Sequence, residues 1–252
     1  MAHPSPVITV SLNPAIDRII EVPGFAIGEH QRGRLISRTP AGKAVNVSRA
    51  LGILGAPSIA TEEIGFFSRS LEHDRVECRF LPVRGATREN ITIVDPATRV
   101  ETHIRDAGFV VGESDRVRLR ENLRRICCWE GIVVFAGSVP EGIAPAQFVE
   151  LLETCIAAGA RVVVDTSGPA LRAAAGLPLW LMKPNAAELA EIVGRPPTSE
   201  ADILAAGHEL ARRIGTVIVS RGEAGALCFA TGRVLKGCVE VGPERIRNTV
   251  GC

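Results

Sequence analysis

The chain has 252 residues, with 29 Lys and Arg against 28 Asp and Glu, a net charge of +1, and 46% hydrophobic residues. That balance excludes polyanions such as nucleic acid and membrane surfaces as electrostatic partners. No run of 18 apolar residues occurs, so no segment is expected to span a bilayer. A chain of this length is expected to form one domain that buries about three quarters of its unfolded surface. The start, Met1-Ala2-His3-Pro4, has no basic segment followed by an apolar run, so a cytoplasmic protein is expected. The 7 cysteines are scattered and include no Cys-x-x-Cys pair. They read as reduced, mostly buried thiols, not as a disulfide framework or a zinc site.

Residues 7–12 are a short apolar run, as in a buried first strand; Asn13-Pro14-Ala15 breaks it, and Asp17 follows its carboxyl end. Residues 19–22 and 35–37, separated by Pro23, Gly24, Gly28 and Gly33, predict short strands with no helix between them. They are expected to pair antiparallel in a small sheet outside the main one. From 42 to 54 the period is helical: Ala44, Val47, Leu51 and Leu54 share a face, and Gly55 supplies the stop. Residues 57–64 are read as the next strand, although Glu62 and Glu63 weigh against it, and 69–74 receive no assignment. Residues 90–95 and 100–105 alternate apolar and polar side chains around a Pro96-Ala97-Thr98 turn, which predicts a hairpin.

Beyond this point strands and helices alternate. A helix capped by Ser114 runs to about 128, a strand covers 132–135, and a helix opened by Pro145 runs to 158. Strands at 162–164 and 179–182 precede helices at 186–193 and 199–214, then a strand at 216–219 and a terminal hairpin from 226–229 and 233–235. Such alternation predicts an α/β, doubly wound and mostly parallel sheet. The early hairpins fall outside the alternation and read as a lid over one edge of that sheet.

Polar residues follow nearly every apolar strand: Asp17, Ser138, Asp165, Lys183 to Asn185, and Ser220 to Gly222. A doubly wound sheet carries these positions to one rim, where ligands of such folds collect. Singly, each is also ordinary turn and capping chemistry. Gly42-Lys43-Ala44-Val45-Asn46 opens a helix with small residues and a lysine, a place where backbone N–H groups favour an anion. It lacks the spacing of a P-loop. Asn185 and Glu188 have capping-box spacing, and their oxygens also suit a hydrated Mg²⁺. No Gly-x-Gly-x-x-Gly follows the first strand, no Gly-x-Ser-x-Gly elbow occurs, and His208-Glu209 lacks the second histidine of a zinc protease helix.

With these residues in view, the chain resembles the phosphofructokinase B branch of the ribokinase-like sugar kinases, within it the 1-phosphofructokinase and tagatose-6-phosphate kinase group. The motifs run in family order: residues 11–17; residues 42–65 with Asn46, Ser48, Gly55 and Gly65; Thr87-Arg88-Glu89-Asn90; Gly137-Ser138-Val139-Pro140; Asp165-Thr166-Ser167-Gly168; Lys183-Pro184-Asn185 with Glu188; and Val219-Ser220-Arg221-Gly222. Ala41 and Ala44 stand where the group has paired glycines, and residues 66–74 lack its glycine pattern.

The resemblance implies one ribokinase-like domain over 1–252 with lid strands at about 18–40 and 88–106. It implies ATP-dependent phosphorylation of a ketohexose phosphate, such as fructose 1-phosphate, fructose 6-phosphate or tagatose 6-phosphate. Asp17, Gly42 and Asn46 would hold sugar hydroxyls; Lys43 and Arg88 would hold the phosphate already present, and Ser138 would line that pocket. Lys183, Asn185 and Glu188 would handle ATP phosphates and Mg²⁺, with Asn185 and Glu188 on the metal, and Ser220, Gly222 and Gly225 would shape the nucleotide site. The lid would exclude water and double as a homodimer contact. At the end, Asn248-Thr249-Val250-Gly251-Cys252 matches the first half of the family's anion-binding loop, with Thr249 and Gly251 on the anion side. The family motif continues with Gly-Asp, whose Asp serves as general base, so a C-terminally truncated chain with negligible turnover is expected. Two other readings stay open: a non-catalytic sugar-phosphate or nucleotide binder, and a kinase of an unphosphorylated sugar or nucleoside.

Overall fold

The structure, a computed structural model, describes residues 7–52, 58–60, 64–74, 76–127, 129–197 and 199–238. Its centre is β1 (Val7–Val10), which pairs in parallel with β4 (Ser58–Ala60) on one side and β8 (Ile132–Ala136) on the other. Beyond β4 lies β5 (Cys78–Phe80); beyond β8 the parallel order runs through β9 (Arg161–Asp165), β10 (Leu181–Met182) and β11 (Thr216–Ser220). An antiparallel hairpin, β12 (Ala226–Ala230) and β13 (Arg233–Gly237), closes that edge. The nine strands thus read β13-β12-β11-β10-β9-β8-β1-β4-β5. Strand order reverses between β1 and β8, and the crevice outside their carboxyl ends is the usual ligand position of such a sheet.

Helices cover the sheet: α1 (Lys43–Gly52), α2 (Ile64–Glu72), α3 (Glu113–Ile126), α4 (Pro145–Ala157), α5 (Gly168–Ala174), α6 (Ala186–Val193) and α7 (Glu200–Leu210). The continuous apolar runs of β8, β9 and β11 belong to strands covered on both faces. Val133, Val162, Val164, Met182, Val217 and Val219 are all buried, and Phe135 meets Phe148 of α4 edge to face at 5.8 Å. Each such apolar side chain contributes roughly 1.5–3 kcal/mol on burial. Gly207 lets α7 close on β12, because a Cβ there would lie 2.3 Å from Cζ of the buried Phe229 ring.

A second sheet of four strands, β2 (Ala15–Glu21), β3 (Arg34–Ala41), β6 (Arg88–Asp95) and β7 (Val100–Arg105), has the order β3-β2-β6-β7. β2 pairs antiparallel with β3, as its turn-rich connection predicts, and parallel with β6. The β6–β7 turn is fastened by the buried Asp95, whose Oδ1 accepts from Gly24 N–H and Ala97 N–H, both at 2.9 Å, and whose Oδ2 accepts from Thr98 Oγ1 at 2.9 Å. These bonds, Gly24 first, hold the Asp95 carboxyl below the usual carboxylate range.

Several local expectations shift. The strand expected at 57–64 is limited, among the described residues, to Ser58–Ala60, and Ile64 already opens α2, which absorbs most of 69–74. Ile64, Phe67 and Leu71 recur at helical spacing and Phe67 and Leu71 are buried, although Gly65 and the polar run Ser68-Arg69-Ser70 interrupt the apolar pattern. β2 starts at Ala15, so Asp17 lies inside the small sheet and not in a turn. α3 starts at Glu113, not after a Ser114 cap, because Asp115 Oδ2 accepts from Gly112 N–H at 3.2 Å. α7 stops at Leu210, four residues before 214, and α5 and β5 were not expected. Of the cysteines among the described residues, Cys155 is buried, Cys78, Cys127 and Cys228 partly so, and Cys238 is exposed. Leu54, Gly55 and residues 248–252 lie outside the described residues. Among the described residues no helix is long and apolar enough to cross a membrane.

Candidate active site

Two glycines bring three segments together at the strand-order reversal. Gly42, at φ +110°, sits where a Cβ would lie 3.6 Å from Pro14 Cα, and Gly137, at φ +98°, where one would lie 3.8 Å from Lys43 N. Only residues that accept a positive φ and tolerate close backbone approach fit here. The N-terminus of α1 therefore faces the ends of β1 and β8, and its free N–H groups give the crevice a positive floor. A cavity of about 470 Å³ opens there, between the main sheet and the small one. Asp17, Gly42, Lys43, Asn46, Arg88, Ser138 and Lys183 all line it. These seven, each given a ligand-binding role by the resemblance, thus meet in one place, together with Asp165.

The small sheet supplies one wall through its register. Ala15 pairs with Arg88, Asp17 with Asn90, and Asn90 in turn with Arg105; the next row on that face is Ile19, Thr92 and His103. Residues paired across strands emerge on the same face, so Asp17, Asn90 and Arg105 form a row with Arg88 beside it. Asn90 Nδ2 donates to Asp17 Oδ1 at 2.8 Å. Burial, and then the nearby Arg105 guanidinium, push Arg88 below its ordinary value against the pull of Asp17 and Asp106. Asn13 Nδ2 donates to Ser138 Oγ at 3.2 Å across the floor. Asn13 Oδ1, Asn90 Oδ1 and Arg88 Nε are buried polar atoms without a partner. Such atoms cost stability when left alone, and two of them, on the lining residues Asn90 and Arg88, mark the cavity as a place for a polar ligand.

Opposite the lid, one carboxylate joins two ammonium groups. Asp165 Oδ1 lies 2.9 Å from Lys43 Nζ and its Oδ2 lies 3.1 Å from Lys183 Nζ. Asp165 ends β9, Lys43 starts α1 and Lys183 follows β10. Asp165 stood in the sequence as one polar residue after a strand; its bridging position needs the fold. Asn90, His103 and Arg105 went unrecognised as wall residues for the same reason, although alternation along residues 90–105 marked one face as meeting something.

The remaining predicted residues that the structure describes do not line this cavity. Asn185 Oδ1 accepts from Glu188 N–H at 2.8 Å and Glu188 Oε2 accepts from Asn185 N–H at 2.9 Å, a complete capping box on α6. Ser220 N–H donates to Pro184 O at 3.0 Å and ties that cap to the end of β11. Gly222 and Gly225 bracket a single 3-10 turn. At Gly225 (φ +77°) a Cβ would lie 2.1 Å from Gly237 O, so the close pass of β13 demands glycine. Arg221 holds the turn from below, donating to Glu200 Oε2 and to Ala224 O, both at 2.8 Å, and its guanidinium keeps the Glu200 carboxyl below the usual range. These residues form a second stretch of the same carboxyl-end rim, next along the sheet from Lys183. Thr249 and Gly251 lie outside the described residues.

The family model described as pfkB family carbohydrate kinase matches residues 8–252. The chain belongs to the pfkB carbohydrate kinase family. Among pfkB relatives it is 34% identical over 252 residues to the 1-phosphofructokinase of Bacillus subtilis, covering 97% of this chain and 81% of that protein. It is also 34% identical over 258 residues to the 1-phosphofructokinase of Rhodobacter capsulatus, covering 97% and 79%. The crystal structure of phosphofructokinase-2 from Escherichia coli in complex with fructose-6-phosphate superposes with a TM-score of 0.86 at 27% identity, over 93% of this chain and 80% of that one. The pfkB fold, a doubly wound sheet with a small β lid, is therefore the fold of this chain.

Proposed function

We propose that the protein transfers the terminal phosphoryl group of ATP to a hydroxyl of a ketohexose phosphate, giving the bisphosphate. The observation that carries this reading is the single cavity that combines hydroxyl-binding groups, Asp17, Asn46 and Ser138, with Lys43, Arg88 and Lys183 under the small sheet. A neutral sugar needs the first set only; a sugar phosphate beside a nucleotide needs both. The 1-phosphofructokinase relatives and the fructose-6-phosphate complex of the Escherichia coli neighbour support it.

In this reading Asp17 and Asn46 accept and orient sugar hydroxyls, and the backbone at Gly42 admits the sugar ring close to the main chain. Lys43 and Arg88 take the acceptor's phosphate. Arg88 suits this role because a guanidinium offers two parallel donors to phosphate oxygens. Lys183 faces the ATP phosphates, while Ser220, Gly222 and Gly225 shape the nucleotide stretch. Thr249 and Gly251 are proposed to face the transferring group. Phosphoryl transfer requires little of the protein beyond alignment and charge stabilisation, which this set of cations supplies. The lid above the cavity excludes water, protecting ATP from hydrolysis.

Mg²⁺ is proposed to join at Asn185 and Glu188. Among the described residues no group of three or more His, Cys, Asp or Glu could hold a metal ion. The donor set still fits Mg²⁺, which takes one or two carboxylates and completes its shell with water and phosphate oxygens; Glu188 commits one oxygen to the capping box and keeps the other. When bound, the ion neutralises charge on the ATP phosphates. The exposed Leu35, Ile36, Val100 and Ile104 of the small sheet support a second copy of the chain as partner there, which sedimentation velocity tests.

The kinase reading is tested by coupled ADP release with fructose 1-phosphate, fructose 6-phosphate and tagatose 6-phosphate. Both the 252-residue chain and one continued through the Gly-Asp of the family motif are assayed. Absence of turnover in both forms with all three acceptors refutes it.

A further inference from the structure

We propose that Cys127 and Cys155 form a dithiol site that closes reversibly into a disulfide on meeting a low-molecular-weight disulfide such as oxidised glutathione. Neither residue lines the cavity, and the site stands independently of the kinase reading.

Two chain segments that the topology sets side by side bring the sulfurs together. Cys127 is the C-cap of α3, its N–H donating to Leu123 O at 2.9 Å, and the chain then enters β8. Cys155 lies in the last turn of α4, and the chain leaving α4 enters β9, the parallel neighbour of β8, with Ile132 paired to Arg161. The two segments are fastened to each other: Glu130 N–H donates to Gly159 O at 3.0 Å and Arg161 N–H to Gly131 O at 2.7 Å. Trp129 also rests on the segment leaving α4, because a Cβ on Gly159 would lie 2.2 Å from Trp129 Cε3. Cys155 is wholly buried in the main core, and the partly buried Cys127 packs against that same core.

The two thiols are unequal. Their side chains bond to each other, with the Cys155 thiol donating. That contact holds the Cys127 thiol below the ordinary cysteine value, while the same contact and then burial push Cys155 well above it. Cys127 is thus the reachable sulfur with the greater thiolate character, and Cys155 waits beside it with its proton. These are the attributes of an attacking and a resolving cysteine. The exposed Arg124 and Arg125 in the last turn of α3 favour the approach of an anionic reagent such as oxidised glutathione.

The exchange balances in two steps. The Cys127 thiolate attacks one sulfur of the reagent's S–S bond, forming a mixed disulfide and releasing one thiolate. Cys155 then loses its proton and attacks Cys127 Sγ; the Cys127–Cys155 bond forms, and the second reagent thiolate leaves and takes up a proton. Two protein thiols are oxidised and one reagent disulfide is reduced to two thiols. Burial keeps Cys155 away from the reagent itself, so its reaction is directed to Cys127. An excess of a small dithiol reverses both steps. The bond closes a loop that contains β8 and Ser138, and it ties the starts of β8 and β9 together more firmly than their backbone hydrogen bonds do.

The test is incubation of the 252-residue chain with oxidised glutathione, alkylation of the remaining thiols, and peptide mapping by mass spectrometry, with Cys155→Ala and Cys127→Ser in parallel. The parent should lose about 2 Da through one intramolecular disulfide. Two of its 7 cysteines should escape alkylation, the linked peptides should contain Cys127 and Cys155, and dithiothreitol should restore alkylation of both. Cys155→Ala should stop at a glutathione adduct on Cys127, and Cys127→Ser should leave Cys155 unmodified. The map of the parent decides the matter even where a variant fails to fold. A linkage through Cys128 or any other cysteine, an adduct on the parent that never resolves, or no reaction at all would overturn the assignment.

Discussion

Asp165→Asn separates two views of the ammonium pair. Asp165 is 14% exposed in its side chain and its two partners are 48% and 38% exposed, so solvent screens both contacts. Ion pairs of this kind contribute about 0.2–1 kcal/mol each, and the two together about 0.5–2 kcal/mol. A phosphate reaching Lys43 and Lys183 must displace or share that carboxylate. Neutralising it removes the competition and one repulsive charge, so affinity for inorganic phosphate should rise about 2- to 30-fold, the same energy expressed as binding. The apo variant should melt a few degrees lower, at about 2–4 °C per kcal/mol for a chain this long. Calorimetric titration at low ionic strength measures the first effect, and repeating it in 0.5 M salt should shrink the gain, because the Debye length falls to a few ångströms. Phosphate affinity that drops or stays constant would refute the competition and show that Asp165 holds the ammonium groups in place for the anion.

Three further outcomes follow from contacts already described. Gly207→Ala drives a methyl into the buried Phe229 ring, 2.3 Å from its Cζ, and should cost about 1–2 kcal/mol net of the helix propensity it gains; urea unfolding checks this, and a stabilised variant would contradict the packing. Gly225→Ala places a methyl 2.1 Å from Gly237 O at a positive φ, so melting temperature and calorimetric ATP affinity should fall together; a change in neither would separate this turn from the nucleotide site. Asp95 has its folded pKa depressed by Gly24, Ala97 and Thr98, so its contribution is present above the unfolded carboxylate value near 4 and is lost as pH falls through the folded value. Thermal melting between pH 2.5 and 5 should accordingly show a shallower acid slope for Asp95→Asn than for the parent, and identical slopes would contradict it.

Local chemistry made much of this fold readable. α6 runs over Ala186–Val193 as the sequence predicts, because Asn185 and Glu188 cap its start and Gly194, at φ +73°, ends it. The β6–β7 hairpin was legible from alternation and its Pro96-containing turn. Features built by distant pairing were not. β2 joins β6 in parallel across some seventy residues, from Asp17 to Asn90, and nothing in either segment names the other. That pairing sets Arg105 two strands from Asp17. Likewise Asp165 meets Lys43 across 122 positions of sequence. α2 was legible in part, since Ile64, Phe67 and Leu71 recur at helical spacing, but Gly65 and Ser68-Arg69-Ser70 divide the segment between an expected strand and an unassigned stretch. The residue types of the site were thus visible, while the partnerships among them required the topology.

The Asp95 turn reaches further than its own three hydrogen bonds. Side chains alternate faces along a strand, so a one-residue slip of β7 against β6 would exchange every residue it presents. Opposite Asn90 would then stand Ile104 or Asp106, an alkyl group or an anion, where Arg105 now brings a cation. The carboxylate that clamps Ala97 and Thr98 therefore decides the sign of charge offered to a ligand at the other end of the hairpin. In a redesign of acceptor preference, lengthening or shortening that turn is a coarser control than any single cavity substitution, acting through alignment alone.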